Sequence, residues 1–140
     1  MQDILTTLKK DGSFQTFLGA LKKAGLEKKL EEPGPMTLFA PNDQACTRVN
    51  MNSIQGDPDK LNSVLTYHIA RGIYHRDDLK KTEDVYTFFG KHLTVATELG
   101  ELHIDNAKFI TTDIECSNGV IHVIDNVFLP QFSGWYCACC

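Results

Sequence analysis

The chain has 140 residues, 42% of them hydrophobic and 23% charged, with a net charge of −4 and an isoelectric point near 5.7. That length suits one domain burying roughly two thirds of its unfolded surface, and the apolar content excludes a disordered chain. The acidic balance argues against nucleic acid, which needs clustered Lys and Arg, and no window reaches the roughly 18 apolar residues of a membrane-spanning helix. The one basic cluster, Lys22-Lys23 with Lys28-Lys29, alternates with Leu21, Leu26 and Leu30 and reads as the solvated side of helical turns.

In chain order, Asp3 to Leu8 opens as a capped helical turn. Ser13 is positioned to cap a second helix with the stripe Phe14, Phe17, Leu18 and Leu21, ending at Ala24-Gly25. A short turn carries Leu26 and Leu30. Pro33-Gly34-Pro35 then breaks the helix and introduces an extended segment from Met36 to Ala40. Asn42 or Asp43 can cap a helix reaching about Val49, and Asp57-Pro58 starts another with Leu61, Val64, Leu65 and Ile69 at helical spacing. After Gly72 the period changes. Val85 to Phe89, His92 to Ala96, Leu102 to Ile104, Lys108 to Ile110, Asp113 to Cys116 and Val120 to Ile124 read as short strands. Asp77-Asp78 and Glu31-Glu32 read as solvated turns. Helices in the first half and antiparallel strands in the second make an α+β arrangement.

The run Asn118 to Pro130 is the most specific stretch. Asn118-Gly119 suits a turn needing positive φ, and Val120 to Ile124 suits a strand buried on both faces except for His122. His122 and Asp125 lie three apart on a strand, so they point to opposite faces and form no acid–base pair. Asp125 is expected to bond backbone or hydroxyl groups, and His122 to face a core.

Thr37-Leu38-Phe39-Ala40-Pro41-Asn42-Asp43, Leu65-Thr66-Tyr67-His68 with Gly72, and Asn118 to Pro130 together resemble, in order and spacing, the motifs of the fasciclin domain family. The resemblance implies a single wedge of N-terminal helices packed on small antiparallel β-sheets, with the domain over residues 1–130 and a cysteine-rich tail over 131–140. It implies a non-catalytic adhesion module with no cofactor, secreted or at a cell surface or envelope, contacting a protein or polysaccharide. Membrane attachment would come through sequence outside the chain. Met1 precedes folded sequence with no export signal, so the chain is either cytoplasmic or a segment of a longer precursor. Cys46 departs from the family, which commonly places Phe there, and the tail is outside its pattern.

In some animal members the Tyr-His region is implicated in receptor binding, which makes Tyr67, His68, Ile69, Ile73, Tyr74 and His75 candidate contacts. Against this, His68 shares a helical face with Leu61, Val64 and Leu65, as a hydrogen-bonded core residue does. Thr37, Phe39, Pro41, Asn118, Gly119, His122 and Asp125 are the structural motif residues. Arg71, Tyr74, Arg76, Phe132 and Trp135 are further surface candidates, since binding hot spots favour Tyr, Trp and Arg. Cys46, His68 and Asp125 have the residue types of a nucleophilic triad, but no strained nucleophile turn accompanies them. Cys137, Cys139 and Cys140 could supply thiolates to zinc in a rival metal or redox protein, yet they lack paired Cys-x-x-Cys knuckles. A lipid, a disulfide to Cys116, a link to another chain and a floppy extension are the other readings of that tail.

Overall fold

The computed structural model describes residues 2–32, 35–47, 56–82, 84–88, 90, 92–98, 101–104 and 107–128. Helix α1 (Ile4–Asp11) begins where the Asp3 carboxylate accepts the Thr6 N–H at 2.8 Å, and it buries Ile4, Leu5 and Leu8. Helix α2 (Gln15–Ala24) buries Phe17, Ala20 and Leu21 and exits through Gly25 at φ 73, a left-handed turn that glycine adopts without strain. Its start differs from expectation. Phe14, not Ser13, holds the cap position and its side chain caps nothing; the Asp43 carboxylate instead reaches across to accept the Thr16 N–H at 2.8 Å.

Helix α3 (Glu27–Glu31) follows, then strand β1 (Met36–Pro41) and helix α4 (Asp43–Cys46), whose cap is Asn42 through the Ala45 N–H at 2.8 Å. Neighbouring Asn42 and Asp43 therefore cap two different helices. The expected extension to Val49 lies outside the described residues. Asp57 caps helix α5 (Pro58–Thr66), which turns Leu61, Val64 and Leu65 inward. Among the described residues no helix is long and apolar enough to cross a membrane.

The remaining elements are β2 (Ile69–Arg71), helix α6 (Arg76–Lys80), β3 (Asp84–Tyr86), β4 (His92–Glu98), β5 (Glu101–Ile104), β6 (Ala107–Cys116) and β7 (Gly119–Ile124). They form one seven-stranded sheet in the order β2-β1-β7-β6-β5-β4-β3. The architecture is α+β as expected, and one pairing is of the other kind: β1 and β7 run parallel, with Phe39 opposite His122 and Pro41 opposite Ile124. The two expected strands around Phe109 and Ile114 are one long strand, β6, interrupted by two register shifts against β7. Asp77 and Asp78 belong to the first turn of α6 and not to a loop. Neither β2, with three residues, nor α6, whose one buried residue is Leu79, is long enough to print a period in the sequence.

Alternation along the central strands divides the interior in two. Leu38, Ala40, Ile121 and Val123 face the helices and join Leu8, Phe17, Leu21 and Leu65 in one core. Phe39 and Ile124 face the other way and join Tyr67, Leu79, Val85, Leu93, Ile104 and Phe128 in a second. Both faces of β1 and β7 are thus covered, which is why their sequences are nearly continuous apolar runs.

Candidate functional site

The motif residues lie together along the β1–β7 pair, and each fastens a different part of the chain. Gly119 sits on β7 where a Cβ would stand 2.0 Å from the Met36 carbonyl oxygen and 2.9 Å from Ile4 Cδ1. Neither Asn118 nor Gly119 has positive φ. The glycine is therefore required by the close approach of β1, and the expectation of a left-handed turn is corrected. Beside it, buried Asn118 accepts the Ile4 N–H at 3.0 Å and donates its amide to the Leu30 and Glu32 carbonyls at 2.6 and 2.8 Å. One side chain so joins the start of α1 to the end of α3.

Thr37 is buried on β1; its hydroxyl donates to the Gly72 carbonyl at 2.8 Å and accepts the Tyr74 N–H at 2.9 Å. Asp125 accepts the Lys108 N–H at 2.8 Å. Phe39 is enclosed, its ring stacked on His122 with centroids 5.7 Å apart.

His68 has no exposed surface. Its Nδ1 lies 2.6 Å from the Val64 carbonyl oxygen and its Nε2 accepts the Phe128 N–H at 3.0 Å, while the ring stacks on Phe128 at 4.7 Å. A carbonyl on one nitrogen and an N–H on the other admit only the neutral Nδ1–H tautomer. Burial pushes the imidazole down to about 4. His122 is its mirror: Nδ1 accepts the Asp113 N–H at 3.2 Å and Nε2 meets the Tyr74 carbonyl at 2.6 Å, and burial again lowers its pKa. Asp113 adopts φ 58 in the β6 bulge, which turns its N–H toward that ring.

Of the candidate contacts, Tyr67, His68 and Ile69 are enclosed and offer no surface to a partner in this conformation. The Tyr67 hydroxyl reaches the His92 carbonyl at 3.2 Å. Ile73 is 39% exposed, and Tyr74 and His75 are half-buried beside it. Sequence reading missed the groups that hold this loop down. The Asp113 carboxylate accepts the Arg76 N–H at 2.8 Å, Asp78 accepts the His75 N–H at 3.1 Å, and Glu115 bonds His75 Nε2. That Glu115 bond raises the pKa of His75. No local signal marks Asp113 or Glu115, because the bulge that aims them exists only once β6 lies on β7.

The triad types do not converge: both His68 nitrogens and an Asp125 oxygen are taken by main-chain groups. Cys46 is buried, as expected of a cysteine in a large apolar residue's place, and burial pushes its thiol up to about 11. Cys116 is buried against the Thr7 hydroxyl at 3.5 Å. Cys137, Cys139, Cys140, Phe132 and Trp135 lie outside the described residues.

Fold and motif define a class of domain: α+β, with one parallel strand pair within its sheet and its distinctive polar residues bonded to its own main chain. The profile described as Fasciclin domain matches residues 12–130, and the chain belongs to that family. It is 36% identical over 133 residues to the protein sll1735 of Synechocystis sp. (strain ATCC 27184 / PCC 6803 / Kazusa), covering 92% of this chain and 98% of that one. It is 30% identical over 128 residues to Homo sapiens periostin, covering 88% of this chain and 15% of periostin. Its fold matches that of a FAS1 domain pair from the insect cell adhesion molecule fasciclin I, with TM-score 0.77, 24% identity, and coverage of 92% of this chain and 51% of that one.

Proposed function

We propose that the domain is a non-catalytic, adhesion-type binding module that works outside the cell or in its envelope and grips a protein or polysaccharide through its outer face. One observation carries this reading. Thr37, His68, Asn118, His122 and Asp125, the polar residues that distinguish the motif, all direct their polar atoms at main-chain groups of the same chain. A catalytic constellation instead aims such groups at a reacting atom. Here they make a rigid scaffold whose outside is left for recognition. Membership of the fasciclin family, with a fold shared by a domain pair of an insect cell adhesion molecule, supports the same reading, and modest contacts gain strength when displayed in many copies.

The exposed Ile73 and the neighbouring Tyr74 and His75 form the first contact surface to test, since Thr37 and His122 pin this loop to the sheet. Beads coated with the domain are measured for capture of the producing organism's own cells or envelope fragments. Ile73→Asp, at an exposed position, should weaken capture without lowering the melting temperature. Undiminished capture by that variant would move the contact off this loop, and a parent domain that captures nothing would refute the module itself.

A further inference from the structure

The sheet opens between β5 and β6. Among the described residues these strands pair at His103–Lys108 and Ile104–Ala107 alone. Beyond Lys108 lies a cleft of about 420 Å³ whose polar wall is Arg76, Glu101, Lys108 and Thr112. The register shifts in β6 explain the gap, because a bulge bends its strand away from the partner it would otherwise follow. Leu102, Phe109 and Ile110 form the apolar wall, with Ile110 turned out at the bulge and 53% exposed. The volume falls within the range of small-ligand sites.

The two cations stand on fixed mounts. The main chain of Arg76 is held by Asp113, whose N–H is in turn held by His122. The main chain of Lys108 is clamped by Asp125, which accepts its N–H at 2.8 Å and donates to its carbonyl at 3.1 Å. Two motif residues thereby brace the cleft from behind. Lys108 Nζ lies 3.6 Å from Glu101 Oε2. The Arg76 guanidinium, by contrast, has no hydrogen bond or ion pair among the described residues.

We infer that this cleft takes a carboxylate-bearing sugar unit of an acidic polysaccharide. The Arg76 fork matches a carboxylate, which it can hold through two parallel N–H bonds. The Lys108–Glu101 pair and the Thr112 hydroxyl offer both donors and acceptors to ring hydroxyls, and Leu102, Phe109 and Ile110 cover a sugar's C–H face. An acidic peptide fits less well, because an extended peptide recruits a regular strand edge and β6 is doubly bulged. The inference rests on the binding-module reading and names the chemical class of its partner.

The test is titration of the whole chain with tetragalacturonate, cellotetraose and tetraglutamate, followed by calorimetry and by amide chemical shifts. Tetragalacturonate should bind, moving the signals of Arg76 and of the Lys108 to Thr112 run, and should bind more weakly as salt is raised. Cellotetraose, which lacks the carboxylates, should bind at least about ten-fold more weakly, the scale of one lost charged hydrogen-bonding group. Arg76→Gln with Lys108→Gln should lose about ten-fold or more while melting with the parent. Arg76→Lys keeps the charge without the fork and should fall between them; it decides the matter if the double variant melts early. No shifts with tetragalacturonate, equal affinity in the variants, or preference for tetraglutamate would each overturn the assignment. Bead capture that survives Arg76→Gln with Lys108→Gln would sink the cleft alone and leave the module standing.

Discussion

Replacing His68 with Phe separates the two things this residue does inside the protein: filling space and bonding the main chain. In the parent the buried ring stays neutral down to about pH 4, against an ordinary 6.5. Between those values the unfolded chain binds a proton that the folded chain does not. The stability is therefore complete above pH 6.5 and is lost as pH falls toward 4. At about 1.4 kcal/mol per unit the loss amounts to about 3 kcal/mol. His122, lowered by burial in the same sense, adds a loss of the same sign that the substitution leaves in place. Phe keeps the stack on Phe128 but leaves the Val64 carbonyl and the Phe128 N–H without their partner. Two such buried groups cost about 4 kcal/mol together near neutral pH, at roughly 1–3 kcal/mol each. The melting temperature should fall by about 15 °C, taking about 4 °C per kcal/mol for a domain of this size. Urea unfolding of both proteins from about pH 7 to about 4.5 should then show the gap between them closing by roughly 2–3 kcal/mol, because only the parent carries the His68 titration. Parallel pH profiles, or a variant that melts with the parent, would refute the account of His68 as a neutral main-chain clamp.

Gly119→Ala places a methyl 2.0 Å from the Met36 carbonyl, a backbone atom that can yield only if β1 and β7 part. The loss should reach at least about 3 kcal/mol, the upper end of overpacking by side chains alone, and a thermal melt by circular dichroism unchanged from the parent would disprove the close approach. Asp43→Ala removes the cap of α2 while Asn42 still caps α4. It should cost about 1 kcal/mol and speed hydrogen exchange at Thr16 but not at Ala45; equal acceleration at both amides would mean that the two caps are not independent.

Periodic and punctuated elements were legible in the chain: α1, α2 and α5 by their stripes, α5 also by Asp57-Pro58, and β7 by its apolar run. Elements too short for a period, β2 and α6, were not. Nor were the long-range partners of polar residues. Asp43 capping α2 from 27 positions away, or Asn118 reaching Leu30 across 88, leaves no trace in local spacing.

The sequence by itself determined the family, the helical stripes and the identity of the motif residues, because these depend on local order and residue type. The tertiary structure decided what those residues do. It showed that Gly119 serves a close approach and not a turn, that His68 is sealed within the core, and that Asp113 and Arg76 meet at a bulge beside an open cleft. Each of those facts requires two segments far apart in the chain to lie within a few ångströms of each other, and only the packing of the helices and connecting segments against the sheet brings them there.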